Sequence, residues 1–93
     1  MEIHEIRKQI DEIDDVMLSL FLRRMELSKE IAAYKKSHGL PVADKQRERE
    51  ILAKVSENSG NMEPYACRLF TTLFQLSKAC QSELLSEEDR HTL

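Results

Sequence analysis

A single long helical pattern dominates the chain, because residues 1–38 contain neither glycine nor proline. Residues spaced three and four apart there form one seam of a helix, and all but two of them are apolar or aromatic. Arg24 occupies the middle of that seam, and since a guanidinium keeps its proton in proteins, its burial requires a compensating anion. No acidic residue shares the seam, so we expect the anion to come from another helix, another chain or a ligand. The seam consists of Ile3, Ile6, Ile10, Ile13, Met17, Leu20, Arg24, Leu27, Ile31, Tyr34 and His38.

The length of this helix bears on the association state. The chain has 93 residues, which we interpret as one domain, 1–93. A helix of roughly 35 residues would be about 52 Å long. A compact monomer of this size would have a radius of gyration of only about 12 Å. The helix would therefore project from such a globule with its seam in water, so we expect an obligate homodimer.

Composition excludes several classes of function. The formal net charge is −3, with 14 basic and 17 acidic residues, so the chain lacks the basic surface that nucleic acid binding requires. It has no run of about 18 apolar residues and no signal-like N-terminus, which predicts no membrane association and a cytoplasmic location. Cys67 and Cys80 lie too far apart on one predicted helix to form a disulfide. The histidines and cysteines show no metal-ligand spacing, so we expect no metal.

Turn and capping residues divide the chain into three helices. Gly39 suits the C-terminal cap of the first helix, and Pro41 prevents its continuation. Asp44 suits the N-cap of a second helix, which fades near Gly60. Pro64 suits the first turn of a third. No segment shows the alternation of a strand. We therefore predict an all-α fold, with helices at roughly 2–38, 44–58 and 63–85 and a frayed tail at 86–93.

Two cations of the first helix face the same way. Lys35 follows Arg24 by 11 residues, a rotation of about 20° and a rise of about 16 Å. Their long side chains could grip a small anion between them. Arg7 is about 25 Å from Arg24 along the same helix, but it could reach the Arg24 of a partner in an antiparallel or intertwined dimer. The spacing therefore predicts one composite site per subunit.

The other two helices carry polar side chains that would complete such a pocket. Asp44, Arg47 and Glu48 occupy the first turns of the second helix, where Glu48 lies on the apolar side. Ser77 and Gln81 form an i, i+4 pair beside the apolar stripe of the third helix. That stripe consists of Ala66, Leu69, Leu73, Leu76, Cys80 and Leu84, broadened by Phe70 and Phe74. Cations, one inward carboxylate and two neutral polar groups suit a small polyanion that bears a hydroxyl.

Each of these residues also has an ordinary explanation. Arg24 could form a structural ion pair with Glu48, Lys35 could belong to a solvated pair with Lys36, and Arg7 could pair with acidic neighbours on the surface. The aspartate could be only a helix cap, and the serine and glutamine could lie on an exposed helix face. The combination, rather than any one position, indicates a site.

A pattern of motifs spans residues 3 to about 83. Its Ile-Arg…Ile-Asp start and its Pro-Val-x-Asp-x-x-Arg-Glu block are specific in combination. Its parts are residues 6–14, 22–27, 31–35 and 41–50, and Arg68-Leu69-Phe70 with Ser77 and Gln81 in the third helix. In these motifs the chain resembles the all-helical chorismate mutases of the shikimate pathway, which serve phenylalanine and tyrosine biosynthesis.

The resemblance implies a fold and a reaction. The fold would be an intertwined homodimer of three-helix chains in which each active site borrows an arginine, here Arg7, from the partner subunit. The reaction would be the rearrangement of chorismate, a small dianion, to prephenate. That step is an intramolecular Claisen rearrangement that uses no cofactor and no covalent intermediate.

The resemblance also implies a role for each candidate residue. Guanidinium groups would clamp the two substrate carboxylates, since their forks match carboxylates. Hydrogen-bond donors would stabilise the charge that develops on the ether oxygen as its bond to the ring breaks. The clamp would be Arg7, Arg24 and Arg47, and the donors would be Lys35 and Gln81. Glu48 with Asp44 would hold the ring hydroxyl. Ser77 would help to position a carboxylate. Of these, Lys35, Gln81, Arg24 and Glu48 would be catalytic.

Two alternative functions are open, one close to the mutase and one from another class. An isochorismate pyruvate lyase of the same fold shares the arginines and the lysine, but the Asp44-x-x-Arg47-Glu48 arrangement favours the mutase. A non-catalytic helical dimer with a regulatory role would have no need of a buried Arg24. Since the chain ends soon after the third helix, we expect a monofunctional enzyme without a fused dehydratase, dehydrogenase, synthase or amino-acid-binding domain.

Overall fold

Three helices joined by two short connections make up the described part of the chain. In order they are α1 (Ile3–Ser37), α2 (Lys45–Asn58) and α3 (Glu63–His91), with a single 3-10 turn (Gly60–Met62) before α3. This computed structural model describes residues 1–91, and the side chains as far as residue 84. The predicted all-α fold with a long N-terminal helix is confirmed.

Local interactions at the end of α1 set the direction of the chain that follows. Gly39 adopts a left-handed conformation with φ of 65°. This lets the amide of Leu40 donate to the carbonyl of Lys35 at 2.8 Å, and the amide of Gly39 to the carbonyl of Lys36 at 3.3 Å. The two bonds form a Schellman motif, which satisfies carbonyls that the end of a helix leaves without partners.

The third helix is longer than the sequence pattern predicts. We expected it to end near residue 85, whereas α3 continues to His91. No glycine or proline follows Pro64, so nothing in the local sequence stops the helix there. Of the tail predicted to be frayed, residues 92 and 93 lie outside the described residues.

α3 packs against both other helices. The side chains that become most buried there are largely polar: Ser28 and Ala32 of α1, and Phe74, Ser77 and Gln81 of α3. The apolar stripe predicted for the third helix is only partly inside, since Leu69 and Leu76 remain 48% and 44% exposed. The face of α3 that is turned toward α1 thus consists of Phe74, Ser77 and Gln81. Each of these residues follows a residue of the predicted apolar stripe by one position.

The N-terminal half of α1 contacts little of its own chain. Every side chain from residue 1 to residue 20 is exposed, including Ile3, Ile10 and Leu20 of the seam. The molecule measures 59 × 27 × 14 Å with a radius of gyration of 17.0 Å, against about 12 Å for a compact chain of this length. The extended shape fits the predicted association.

The structure of residues 1–91 gives no support for a membrane-spanning helix. None of the helices described there combines the length and the apolar character that a crossing of the bilayer requires. The cytoplasmic location expected from the sequence stays a prediction.

The cap of α1 gives a testable prediction about stability. Replacing Gly39 with alanine should lower the free energy of unfolding by about 1 kcal/mol, because a Cβ is strained at positive φ. The space around the position is open, since apart from Gly39 and its two chain neighbours no heavy atom lies within 4 Å of the point that a Cβ would occupy, so the loss would be purely conformational. Chemical denaturation at one fixed protein concentration measures it, since association also affects stability.

Gly39→Asn provides the matched control, because asparagine tolerates the left-handed conformation better than alanine does. It should lose less stability than Gly39→Ala. Equal stability of the alanine variant and the parent would contradict the role given to this cap.

Candidate active site

A cavity of about 440 Å³ lies where the second half of α1, the connection to α2, the start of α2 and the second half of α3 meet. Its volume falls within the range of small-molecule sites, roughly 300–1,000 Å³. Seven of the eight predicted site residues line it: Arg24, Lys35, Asp44, Arg47, Glu48, Ser77 and Gln81. Residues spread over 58 positions of the sequence, from 24 to 81, therefore converge on one space.

Arg24 is half-buried between α1 and α3. Its Nη1 donates to Oγ of Ser77 at 2.8 Å, and its guanidinium carbon lies 5.9 Å from the centroid of the Phe74 ring, a cation–π arrangement. Among the described side chains, no carboxylate pairs with it, so the ion pair with Glu48 considered from the sequence is wrong. The guanidinium of Arg24 lines the cavity, and its partners among the described side chains are neutral.

A pair of serines supports this arginine. Oγ of Ser28, one turn beyond Arg24 on α1, donates to Oγ of Ser77 at 3.2 Å. Both serines are more than nine-tenths buried. Ser77 is thus an acceptor for Arg24 on one side and for Ser28 on the other, which fixes the direction of the guanidinium. Its predicted contact with a substrate carboxylate stays a prediction.

Lys35 is anchored to the connection between α1 and α2. Its Nζ donates to the carbonyl oxygen of Val42 at 2.7 Å, and its side chain is half-buried at the edge of the cavity. The solvated pair with Lys36 is therefore the wrong description of Lys35. An ammonium has three donors, so two remain for a ligand after this bond.

The start of α2 presents two further charges. Oδ1 of Asp44 accepts from the backbone amide of Arg47 at 3.0 Å, which confirms Asp44 as the N-cap. The Arg47 guanidinium lies 3.7 Å from Glu50 on the exposed surface. A surface pair of this kind contributes little stability, so Arg47 can turn into the cavity at small cost.

Glu48 does point inward, as its helical position predicts, and its partner is a residue that the sequence analysis did not single out. Nζ of Lys78 lies 3.4 Å from one carboxylate oxygen of Glu48 and 3.5 Å from the other. Both side chains are partly buried, Glu48 at 25% and Lys78 at 38% exposure. The pair links α2 to α3 along the cavity wall.

Gln81 carries an unused hydrogen-bonding atom. The residue is 6% exposed, and its Oε1 has no hydrogen-bond partner among the described residues. Leaving a buried polar atom unpaired costs about 1–3 kcal/mol. Rotation of the amide by half a turn exchanges its oxygen and nitrogen, so this position can present either an acceptor or a donor to a ligand.

Arg7 is the predicted site residue that the cavity of its own chain does not include. It lies on the exposed N-terminal half of α1. No ion pair joins it to another side chain of residues 1–84, so the surface pairing with its acidic neighbours is not present. This position agrees with the expectation that it serves a partner subunit.

Comparison with known proteins places this chain in a family. The family model for chorismate mutase type II matches residues 6–82. The chain belongs to this family. A chorismate mutase of Methanocaldococcus jannaschii is 35% identical over 89 residues, which cover 92% of this chain and 90% of that protein. The predicted chorismate mutase, an isomerase of aromatic amino acid biosynthesis, is thereby confirmed.

Two longer relatives share part of the chain. The bifunctional chorismate mutase/prephenate dehydratase of Aquifex aeolicus is 43% identical over 54 residues, or 58% of this chain and 15% of that protein. The T-protein of Enterobacter agglomerans is 38% identical over 52 residues, or 56% of this chain and 14% of that protein. The matched segment is therefore a small part of each of these two proteins.

Sequence reasoning missed three contributors to this candidate site: Ser28, Lys78 and the backbone carbonyl of Val42. Ser28 and Lys78 do carry a signal in the sequence. Ser28 lies four residues after Arg24, and Lys78 lies four after Phe74 and three before Gln81, which places each on the inner face. The carbonyl of Val42 carries none, because every residue has one and only the path of the chain brings it to Lys35.

The neutral surroundings of Arg24 give a prediction that separates function from stability. Arg24→Met retains an apolar stem against Phe74 and removes the charge, so turnover of chorismate should fall by at least about 100-fold. The free energy of unfolding should stay the same or rise, because a partly buried charge without a carboxylate contributes no net stability. Steady-state kinetics and chemical denaturation measure the two effects.

Arg23→Met is the matched control, since Arg23 is exposed and lies outside the cavity. It should leave turnover unchanged. A large loss of stability in Arg24→Met, with turnover retained, would show that the arginine is structural.

Proposed function

We propose that this cavity binds chorismate as a dianion and converts it to prephenate by holding the reactive conformer and stabilising its transition state. The observation that supports this most directly is the charge of the cavity wall. Four cations and two carboxylates line it, an excess of two positive charges that matches the two carboxylates of the substrate. The cations are Arg24, Lys35, Arg47 and Lys78, and the carboxylates are Asp44 and Glu48.

Binding of the carboxylates supplies the first part of the catalysis. Arg24 would hold one carboxylate and Arg47 the other, each through a paired hydrogen bond. The two contacts keep the enolpyruvyl arm folded over the ring, where its terminal carbon can form a bond with the ring as the ether bond breaks. Preorganisation of this conformer removes part of the entropic barrier. The hydrogen bond from Arg24 to Ser77 holds the guanidinium in advance, which reduces the entropy lost on binding.

Stabilisation of the ether oxygen supplies the second part. Negative charge accumulates on this atom as its bond to the ring breaks, so donors aimed at it bind the transition state more tightly than the substrate. Lys35 has two free donors beside the cavity, and Gln81 has an amide that can turn its nitrogen inward. In a site shielded from water, one such donor contributes about 3 kcal/mol.

Recognition of the ring hydroxyl would fall to the start of α2. Glu48 is held inward by Lys78, and its oxygens retain lone pairs that can accept from a hydroxyl. Asp44 lies one turn earlier on the same side and uses one oxygen for the helix cap. The step is pericyclic, so no cofactor enters the scheme.

The site is completed by association of two chains. The seam of α1 is exposed along its N-terminal half, and α1 is long enough to extend past its own cavity to that of a partner. Burial of this seam supplies the driving force for an intertwined homodimer. Arg7 of one subunit would then reach the second substrate carboxylate or the Arg24 side of the cavity in the other.

Mixing two inactive variants tests the proposed reaction and the shared site together. The assay follows loss of chorismate and identifies prephenate by its acid conversion to phenylpyruvate, without added metal or cofactor. Arg7→Ala and Arg24→Ala dimers should each be nearly inactive. After unfolding and refolding together in equal amounts, they should regain about a quarter of the parent activity, because half of the dimers are mixed and each has one intact site.

The matched control mixes Arg23→Ala with Arg24→Ala, which should give only the activity expected from averaging the two preparations. Failure of the Arg7 and Arg24 mixture to regain activity, with dimers formed, would show that Arg7 does not act across subunits. A parent dimer that leaves chorismate unchanged would contradict the proposed reaction itself.

The amide at position 81 predicts a flat pH profile. An amide donates without binding a proton, so the rate should persist from pH 6 to pH 8 with the fold intact. In Gln81→Glu the carboxyl donates only in its protonated form, and since that form is lost as pH rises, the rate of this variant should fall from acid to neutral pH. Measuring kcat across this range tests the role of Gln81. A parent rate that fell equally steeply over the same range would contradict it.

A further inference from the structure

Among the four cations of the cavity wall, Lys78 is the one without a proposed contact with the substrate. It projects from α3 between Ser77 and Gln81, and its ammonium lies almost equally far from the two oxygens of Glu48, at 3.4 and 3.5 Å. Among the described side chains, this is the one ion pair that joins α2 to α3. Its partial burial distinguishes it from the exposed ion pairs of the chain, such as Lys29 with Glu26.

Two physical consequences follow from this geometry. The ammonium fixes the carboxylate of Glu48 from the α3 side, so that its remaining lone pairs face the cavity. It also compensates the charge of Glu48 in a site that must accept a dianion. Without Lys78, the substrate would meet an unpaired carboxylate in a partly buried space, where like charges repel strongly.

We propose that Lys78 is a positioning residue for substrate recognition: it holds and neutralises Glu48 so that the carboxylate can accept the ring hydroxyl without repelling the substrate's carboxylates. This inference rests on the proposed function, because it requires a hydroxyl-bearing dianion in the cavity. The contact of Glu48 with the hydroxyl persists from the bound substrate to the transition state. Lys78 therefore acts on KM rather than on kcat.

Kinetics of Lys78→Met test the inference, with chorismate as the substrate. The variant should raise KM about tenfold, a typical coupling between two members of one polar network, and leave kcat within about twofold. Lys78→Arg keeps the charge and should retain a KM close to that of the parent. Lys29→Met removes a lysine from an exposed ion pair of similar length outside the cavity and should change neither constant. Circular dichroism checks that every variant keeps its helix content.

A double-mutant cycle with Glu48→Gln identifies the route of the effect. If Lys78 acts through Glu48, then Lys78→Met should raise KM by no more than about threefold in the Glu48→Gln background. An undiminished tenfold effect there would overturn the inference and indicate direct binding of substrate by Lys78. A fall in kcat with KM unchanged, or no kinetic change at all, would overturn it too.

The outcomes for the two proposals are separable. If the parent converts chorismate and Lys78→Met is kinetically normal, the role of Lys78 is wrong and the proposed function stands. If the parent leaves chorismate unchanged, the proposed function fails, and the role of Lys78 fails with it.

Discussion

A guanidinium held between two helices by neutral groups is the constraint around which the site is arranged. Arg24 bonds to Ser77 and lies over Phe74, and among the described side chains no carboxylate neutralises it. Glu48, a carboxylate of the same cavity wall, is neutralised by Lys78 instead. The wall of the cavity therefore keeps its positive excess, which would be costly in a purely structural bundle. Under the proposed function that excess has a use, because chorismate brings two negative charges.

The distances in the site depend on local backbone chemistry as much as on helix packing. Gly39 ends α1 with a Schellman motif, and Asp44 begins α2 with a side-chain cap. Between them, Lys35 binds the carbonyl of Val42 and so ties the connection back to α1. A side chain proposed to act on the ether oxygen thus also fixes the segment that leads to Glu48. In that proposal one residue would serve both catalysis and structure, because an ammonium has donors for both.

The sequence predicted which residues meet in the cavity better than it predicted which faces are buried. Helical spacing placed Arg24 and Lys35 on one side of α1 and Glu48 inward on α2, and the cavity contains all three. The same reasoning gave α3 an apolar face that includes Leu69 and Leu76, yet those two stay exposed in one chain while Ser77 and Gln81 are buried. Periodicity identifies an apolar face, but it does not say whether the same chain or a partner covers it. Pairings such as Lys78 with Glu48 depend on how two helices cross, which no single-helix pattern contains.

The two halves of α1, on either side of Arg24, have different surroundings. Toward its C-terminus, Ser28, Ala32 and Lys35 face the cavity or the core of their own chain. Toward its N-terminus, the seam is apolar and exposed as far as residue 20. In the proposed dimer, that half covers the partner and delivers Arg7 to the partner's site. One helix would then serve two sites in two chains, and its lack of glycine and proline over residues 1–38 keeps the two halves in a fixed register. In this proposed dimer, association and catalysis would be coupled, because the apolar contacts that form the dimer would also set where Arg7 lies.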